Sequence, residues 1–266
     1  MGNDSTEKSP CFQEERQGKI LELLDKNSTV RVSELSELFG TSAATIRKDI
    51  RKLEQAGKLK RTHGGAIKID INNTEVTPAS AAVSAHDEKV RIGHAAAQLV
   101  HDGDTFIVQA GTTNIEFVRA LRGKHDLKII TNDLLISLEV EKTLPDSSVI
   151  QIGGDMRFGF HYTEGSEALS QLIDYYVPTA YMCTNAYSFE RGFSTHRIEQ
   201  SSWLTAVYHA SERHVMLLDS TKIGVNALST HAKLEDMDVF ITDSNLDEAT
   251  RLRLAEEAPN VRLIFA

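Results

Sequence analysis

The sequence predicts an α/β protein in two parts: a small winged helix-turn-helix unit, then a larger domain built on a largely parallel sheet. Three observations carry this reading. Between Thr41 and Ile69, eight Lys or Arg residues stand against Asp49 and Glu54, a local +6 in a chain whose formal net charge is −9. Residues 70–85 then mix Asn, Thr, Ser, Pro78 and small residues without periodicity, as a linker does. Beyond them, short apolar runs alternate with helical stretches, the pattern of buried strands joined by crossover helices.

The bulk properties set the bounds. At 266 residues, 41% hydrophobic and 25% charged, the chain can bury one large core and one small one. It has no apolar run of about eighteen residues, and Met1 to Glu15 is polar, so a soluble, cytoplasmic protein without a membrane span is expected. Cys11 and Cys183 lie far apart, and the His pair nearest in sequence, His209 and His214, has no third ligand beside it. Neither a disulfide, a metal site nor a cofactor is expected.

In order along the chain, residues 1–12 are rich in Ser, Asp, Lys and Glu and are expected to be a disordered lead-in. The winged helix-turn-helix unit is expected over residues 13–69. Gln13 to Lys26 places Ile20, Leu23 and Leu24 on one helical stripe. Ser33 to Phe39 forms a short helix with Leu35, Leu38 and Phe39 on one side, closed by Gly40 and a tight turn. Ser42 to Ala56 is the decisive stretch. Ile46, Ile50 and Leu53 recur at i, i+4 and i+7, while Arg47, Lys48, Arg51 and Lys52 point away from that stripe. Ser42 is placed to accept backbone N–H bonds at the start, and Gly57 suits the left-handed residue just past the end.

Lys58 to Ala66 is too basic and Gly-rich for a helix and fits a two-stranded wing turning at Gly64-Gly65. Two short helices and a Gly-containing turn read as helix-turn-helix. A cationic patch on an acidic chain points to double-stranded DNA. The first residues of the second helix, Ser42, Ala43, Ala44 and Thr45, would lie near base edges. Arg47, Lys48, Arg51 and Lys52 would hold phosphates or reach guanine, and Arg61, Thr62 and His63 of the wing would grip the adjacent backbone. One such unit binds weakly, so a homo-oligomer, dimer or tetramer, is expected on repeated half-sites.

In the larger domain, residues 86–266, apolar runs at Thr105 to Gln109, Lys128 to Thr131, Ser148 to Ile152, Ala180 to Cys183, His214 to Leu218, Val239 to Thr242 and Val261 to Phe265 predict strands. Helices are predicted at Lys89 to Val100, Asn114 to Leu121, Leu134 to Thr143, Glu167 to Tyr176, Ile198 to Ala210 and Leu246 to Glu257. Small polar clusters follow the strands. In open α/β sheets the ligand crevice lies outside the carboxyl ends of the strands, so these clusters would converge on an effector pocket. Gly111, Thr112 and Thr113 sit between a strand and a helix, where backbone N–H groups and the helix dipole favour an anion such as phosphate. Lys222 would add a mobile cation, and Asn132 and Asp219 could read sugar hydroxyls. Gly153, Gly154 and Asn185 lie at two further strand ends.

The stretch from Val32 to Ile50, with Leu53-Glu, Gly57 and Arg61-Thr-His-Gly-Gly-Ala66, resembles the DNA-binding end of the DeoR family of bacterial transcription regulators. Lys89-Val-Arg-Ile, Gly111-Thr-Thr, Thr131-Asn, Gly153-Gly, Gly165, Asp219-Ser-Thr-Lys and Thr242-Asp resemble that family's sensor domain. The likeness runs from about Glu14 to Phe265. It implies a Rossmann-like sensor related to the sugar-phosphate isomerase fold, a phosphorylated sugar or sugar derivative as effector, and repression of a carbohydrate-use operon. It also implies a phosphate-loop role for Gly111, Thr112 and Thr113 and a ligand-binding role for Lys222. Two places depart from the family's usual pattern: Gln109-Ala110 ahead of the Gly-Thr-Thr, and Cys183 to Gly192. The rival reading is a sugar-phosphate isomerase with an appended DNA-binding unit. Such an enzyme needs a carboxylate base, and Thr184 to Glu190 offers Asn185 and only Glu190, so no catalytic residue is expected.

Overall fold

A computed structural model describes residues 13–27, 29–55, 58–62, 64–67 and 77–266 of the chain. The lead-in over residues 1–12, Gly57, His63, Ile69 and residues 70–76 of the expected linker lie outside the described residues. The chain divides into two compact units, Met1–Asp70 and Ile71–Ala266.

The first unit runs α1 (Gln13–Asn27), β1 (Thr29–Arg31), α2 (Val32–Leu38), α3 (Ala43–Gln55), β2 (Lys60–Thr62) and β3 (Gly65–Ile67). The apolar stripes read from the sequence meet in one small core: Ile20 and Leu24 of α1, Leu35 of α2, and Ile46, Ile50 and Leu53 of α3, closed by Val30, Leu59 and Ala66. Leu38, expected on the packed side of α2, is exposed instead. Asp49 is buried on the packed face of α3, where Arg16 Nε donates to it at 2.6 Å and Gln17 Nε2 at 3.3 Å.

The wing is three-stranded, not two-stranded: β3 pairs antiparallel with β2 and with β1, in the order β1-β3-β2. β1 approaches so closely that a Cβ on Gly65 would come within 1.9 Å of the Val30 carbonyl oxygen. Glycine is therefore required at that position by contact, whatever its part in the turn.

α3 starts as expected. Ser42 Oγ accepts the Thr45 N–H at 3.1 Å, and the Ser42 carbonyl accepts the Ile46 N–H at 3.1 Å. Loss of the hydroxyl in Ser42→Ala is expected to cost the first unit about 1 kcal/mol, to be read from chemical denaturation followed by circular dichroism.

The second unit opens with α4 (Pro78–Val83) and α5 (His86–Ala97), then β4 (Thr105–Val108), α6 (Thr112–Ala120), β5 (Lys128–Thr131), α7 (Leu134–Thr143) and β6 (Ser148–Gln151). A hairpin of β7 (Asp155–Arg157) and β8 (Tyr162–Glu164) leads to α8 (Ser166–Leu172), β9 (Val177–Cys183), β10 (Ala186–Ser188), β11 (Gly192–Thr195) and α9 (Ile198–His209). The chain closes with β12 (Ser211–Leu217), β13 (Ser229–Ala232), β14 (Val239–Thr242), α10 (Glu248–Glu257) and β15 (Arg262–Phe265). Every strand and crossover helix predicted for this domain is present, with ends shifted by a few residues.

The main sheet has seven strands in the order β15-β14-β12-β9-β4-β5-β6, and every pairing in it is parallel. Alternate residues of one strand serve opposite layers. Phe106 and Val108 of β4 pack with Ile92, Phe117 and Val140 of α5, α6 and α7. Ile107 between them packs with the layer holding Leu172, Leu204 and Leu254 of α8, α9 and α10.

Three things differ from the expectation. α4 occupies part of the stretch read as a structureless linker. The β7-β8 hairpin and a small antiparallel sheet, β10-β11-β13, were not anticipated. Their strands are three or four residues long, too short to show a period. None of the described helices is long and apolar enough to cross a membrane.

Candidate functional site

The first unit presents α3 and the wing. Arg47, Lys48, Arg51 and Lys52 are exposed and form no ion pair among the described residues. Arg47 and Arg51 line one groove with Arg61 and Thr62 of the wing, floored by Val32, Ile50 and Gly65. At the head of the helix Ser42 and Ala44 are exposed and Ala43 and Thr45 are half-buried. Ser42 is committed to the helix start, its Oγ also lying 2.9 Å from Thr45 Oγ1.

Arg61 differs from the expectation of a free cation. Its Nε lies 3.3 Å from Glu54 Oε2, and its backbone N–H donates to Glu54 Oε1 at 3.1 Å. Glu54 thus ties the wing to α3 and offsets one of the charges counted toward DNA. Asp49, the other acid in that count, faces inward to Arg16. The outward cations of α3 are therefore Arg47, Lys48, Arg51 and Lys52.

In the second unit, consecutive strands run outward from β4 to β5 and β6 on one side, and β9 lies on the other side of β4. At such a switch point the loops after neighbouring strands diverge and leave a crevice. A cavity of about 650 Å³, its open mouth included, lies there. Its walls are Ala110, Gly111, Thr112 and Thr113 after β4, Asp133 after β5, and Cys183, Thr184 and Asn185 after β9, with Lys222 from the loop after β12. Phe160 and Tyr162 of the hairpin, Gln200 of α9, and Pro78 and Ala81 of α4 complete it.

The Gly111 turn is built by its neighbours. Gly111 has φ +152°, and a Cβ there would meet Cys183 Sγ at 2.2 Å. Gln109, one of the two departures noted above, accepts from Cys183 N at 3.2 Å and Cys183 Sγ at 3.3 Å, and so ties β4 to β9. Asn114 Nδ2 donates to the Gln109 carbonyl at 2.6 Å. The first helical bond of α6 runs from Ile115 N to Gly111 O, so the N–H groups of Thr112 and Thr113 have no helical acceptor. Thr113 is 1% exposed, and its Oγ1 is buried without a hydrogen-bond partner. Asn185 Oδ1 is in the same condition.

The charges around the turn are largely buried. Burial lowers the Lys89 ammonium to about 8, with Lys222 adding to the effect. Its Nζ donates to the carbonyls of Ala81 and, at 2.6 Å, Ser84, holding the end of α4 beside the cavity. Lys222 is not the mobile cation expected: its Nζ donates to the Thr184 carbonyl at 3.2 Å and lies 3.5 Å from Asp219 Oδ2. Burial acts to raise the Asp219 carboxyl, but Lys222, the Thr221 hydroxyl and Lys89 outweigh it and hold it below the usual carboxylate range. Burial pushes the Cys183 thiol up to about 11 and the Asp133 carboxyl up to about 6.

Of the nine positions named from the sequence for an effector, Gly111, Thr112, Thr113, Asn185 and Lys222 line the cavity, and four do not. Asn132 is buried: its Oδ1 accepts from Ala110 N at 3.3 Å and its Nδ2 donates to Thr163 O at 2.8 Å. It orders the loop rather than facing a ligand. Asp219 is buried behind Lys222. Gly153 donates to Gln171 Oε1 at 3.0 Å, and Gly154 packs against Glu164 and Ala168. In exchange the cavity contains Asp133, Phe160, Tyr162 and Gln200, which had not been singled out. Asp133 was visible only as the last residue of a Thr-Asn-Asp cluster, and the hairpin carries no periodic signal. Asp133 is the one carboxylate among the described lining residues.

Comparison with known proteins places both units. Residues 16–72 match the DeoR-like helix-turn-helix domain and residues 84–244 the DeoR C-terminal sensor domain. An uncharacterized HTH-type transcriptional regulator, YulB, of Bacillus subtilis is 32% identical over 94% of this chain and 96% of its own. The transcriptional repressor AccR of Agrobacterium fabrum is 31% identical over 87% of this chain and 90% of its own. Among solved structures, ribose 5-phosphate isomerase A of Neisseria gonorrhoeae is similar at 16% identity, with a TM-score of 0.39, over 54% of this chain and 56% of that one. The curated relatives are named as regulators and repressors, not enzymes. With a family match over both units and relatives spanning nearly its whole length, the chain belongs to the DeoR family of transcriptional regulators.

Proposed function

We propose that the protein is a homo-oligomeric repressor of a carbohydrate-use operon, and that a phosphorylated sugar or sugar derivative, bound in the cavity at the ends of β4, β5 and β9, alters its grip on DNA. The observation that carries the ligand half is the Gly111–Thr113 turn. Thr112 and Thr113 line the cavity at a helix start, where their N–H groups have no helical acceptor, and Thr113 carries a buried, unpartnered hydroxyl. Fixed N–H and O–H donors at a helix N-terminus suit a phosphate, whose oxygens only accept. Lys222, paired with Asp219, brings a cation to the lining of the same cavity.

Repression is supported by the similarity to AccR, a transcriptional repressor. A ligand can act on DNA affinity only by binding the DNA-competent and incompetent states unequally. The test is a thermal-shift screen of the purified protein against sugar phosphates, repeated on Thr113→Val and Lys222→Ala. Thr113→Val keeps the side chain's shape and removes its one donor, so a loss of roughly tenfold in ligand affinity is expected for a hydrogen bond to a charged group. If no sugar phosphate moves the melting temperature of the wild type, the ligand half of the proposal fails.

A further inference from the structure

The phosphate reading leaves a carboxylate in an awkward place. Asp133 Oδ1 accepts the Leu135 N–H at 2.8 Å and the Ile136 N–H at 3.4 Å, capping α7. Its Oδ2 accepts the Gly111 N–H at 3.2 Å. The carboxylate thus reaches across from β5 to the turn that would cradle the phosphate, and it lines the same cavity as Thr112 and Thr113. An anion beside an anion in a water-poor pocket is repelled unless a proton lies between them. An ionised carboxylate has about four acceptor sites and no donor, and three of them are taken by backbone N–H groups here. That leaves about one acceptor site on the single carboxylate among the described lining residues, and Asn185 of the same lining has a buried Oδ1 without a donor.

Resting on the phosphate reading above, we infer that Asp133 selects the ligand by its protons. The effector is a phosphate ester with a hydroxyl or amino donor on the carbons near the phosphate, and Asp133 accepts from that donor. Asn185 takes a second donor farther along the molecule. A bare phosphate, or an ester whose neighbouring carbons carry only hydrogen, meets the carboxylate with nothing to offer it and binds poorly. The pocket is thereby matched to polyol and amino-sugar phosphates and set against simple alkyl phosphates. Phe160, Leu135 and Ile115 supply an apolar wall for the carbon face of such a molecule.

The pH behaviour follows from the same geometry. Burial, opposed by the backbone N–H groups of Leu135, Ile136 and Gly111, holds the Asp133 carboxyl up at about 6, so it is largely ionised at pH 7.5 and largely protonated at pH 5. The ionisable groups that reach it are His161, which follows the β7 strand, and the Cys183 thiol of β9. The thiol, near 11, stays protonated across this range. Lys222, paired with the buried Asp219 behind it, also lines the cavity.

The experiment compares glycerol 3-phosphate with propyl phosphate, which share three carbons and a phosphate and differ only in hydroxyls, and adds inorganic phosphate. Affinities are measured by calorimetry on the full chain. The two esters titrate alike, so their affinity ratio cancels the phosphate's own protonation. In the wild type at pH 7.5 glycerol 3-phosphate is expected to bind about tenfold tighter than propyl phosphate, the usual worth of a hydrogen bond to a charged group. The ratio is expected to shrink severalfold at pH 5. In D133S it is expected to fall severalfold and to lose its pH dependence, the remainder being the hydroxyl that Asn185 takes, while inorganic phosphate binds more tightly than to the wild type at pH 7.5. Ser and Asn are both good helix caps, so D133N provides a second variant should D133S melt early.

Equal wild-type affinity for the two esters would overturn the inference, and so would an undiminished ratio in both Asp133 variants. A pH dependence retained in D133S and lost in H161Q would assign the effect to His161 and overturn it likewise. If none of the three phosphates binds, and Thr113→Val changes nothing for any sugar phosphate, it is the phosphate reading itself that fails.

Discussion

Replacing Arg47 and Arg51 together with alanine is expected to weaken DNA binding roughly thirtyfold per bound protomer at about 0.15 M salt, and to flatten the dependence of log affinity on log salt by about 1.8. Each phosphate neutralised contributes about 0.9 to that slope by releasing a condensed counterion. These two side chains are the strongest candidates for such contacts. They share one groove between α3 and the wing, and neither has an acidic partner among the described residues. Arg61 lines the same groove but is paired with Glu54, so Arg61→Ala should lose less. Glu54→Gln should act oppositely, freeing the Arg61 guanidinium and steepening the slope. The measurement is fluorescence anisotropy with a labelled operator duplex at several salt concentrations, or a mixed-sequence duplex at low salt until the operator is mapped. An unchanged affinity and slope in the double variant would remove α3 as the reader of DNA.

Gly111→Ala is expected to abolish the response to effector while leaving DNA binding in place, so that the variant stays on its operator at ligand concentrations that release or retune the wild type. The added methyl would sit 2.2 Å from Cys183 Sγ on a backbone with φ +152°, which side-chain-bearing residues rarely adopt. Cys183 has no room to give way. It is buried, and its sulfur is held by Gln109 Oε1 at 3.3 Å and the Ala110 carbonyl at 3.4 Å. The turn must therefore move, at a cost of about 1–3 kcal/mol to the sensor unit, and its N–H groups lose their aim into the cavity. The strain has a specific remedy: Cys183→Ala in the same chain removes the atom in conflict and should recover part of the lost stability. A fully responsive Gly111→Ala protein would mean that this turn does not hold the ligand.

The helix α3 was readable almost in full, because everything that defines it is local. Ile46, Ile50 and Leu53 fall on one stripe by spacing alone, and the cations fall on the other. Charge counting gave the net sum but not where its two acids go. Asp49 reaches Arg16, 33 positions away. Glu54 binds Arg61, seven positions on. The third wing strand, β1, escaped notice because three residues show no period, and it is recognisable only from its pairing with β3.

The cavity divides in the same way. Gly111, Thr112 and Thr113 were legible as a strand-to-helix turn. Asn132 and Asp133 are adjacent and similar in chemistry, and the sequence offered no means of ranking them. The pleat after β5 turns Asn132 inward to Ala110 and Thr163, and Asp133 toward Gly111 and the cavity. α4 was read as linker because Ala, Ser and Val show no amphipathic stripe there. Its hold comes from Lys89, whose buried ammonium takes the Ala81 and Ser84 carbonyls.

Taken alone, the order of residues settled the kinds of element, their succession and the two units, and it marked the strand-to-helix turn at Gly111 and the cationic helix α3. Those properties depend on neighbours a few places apart, through periodicity, capping and local charge. The folded chain alone decided which polar side chains face ligand and which brace the loops. That outcome depends on groups brought together from afar, such as Asp133 with Gly111 across 22 positions and Cys183 with Gln109 across 74. A buried polar atom must find a partner wherever the packing places one, and packing is not written in spacing.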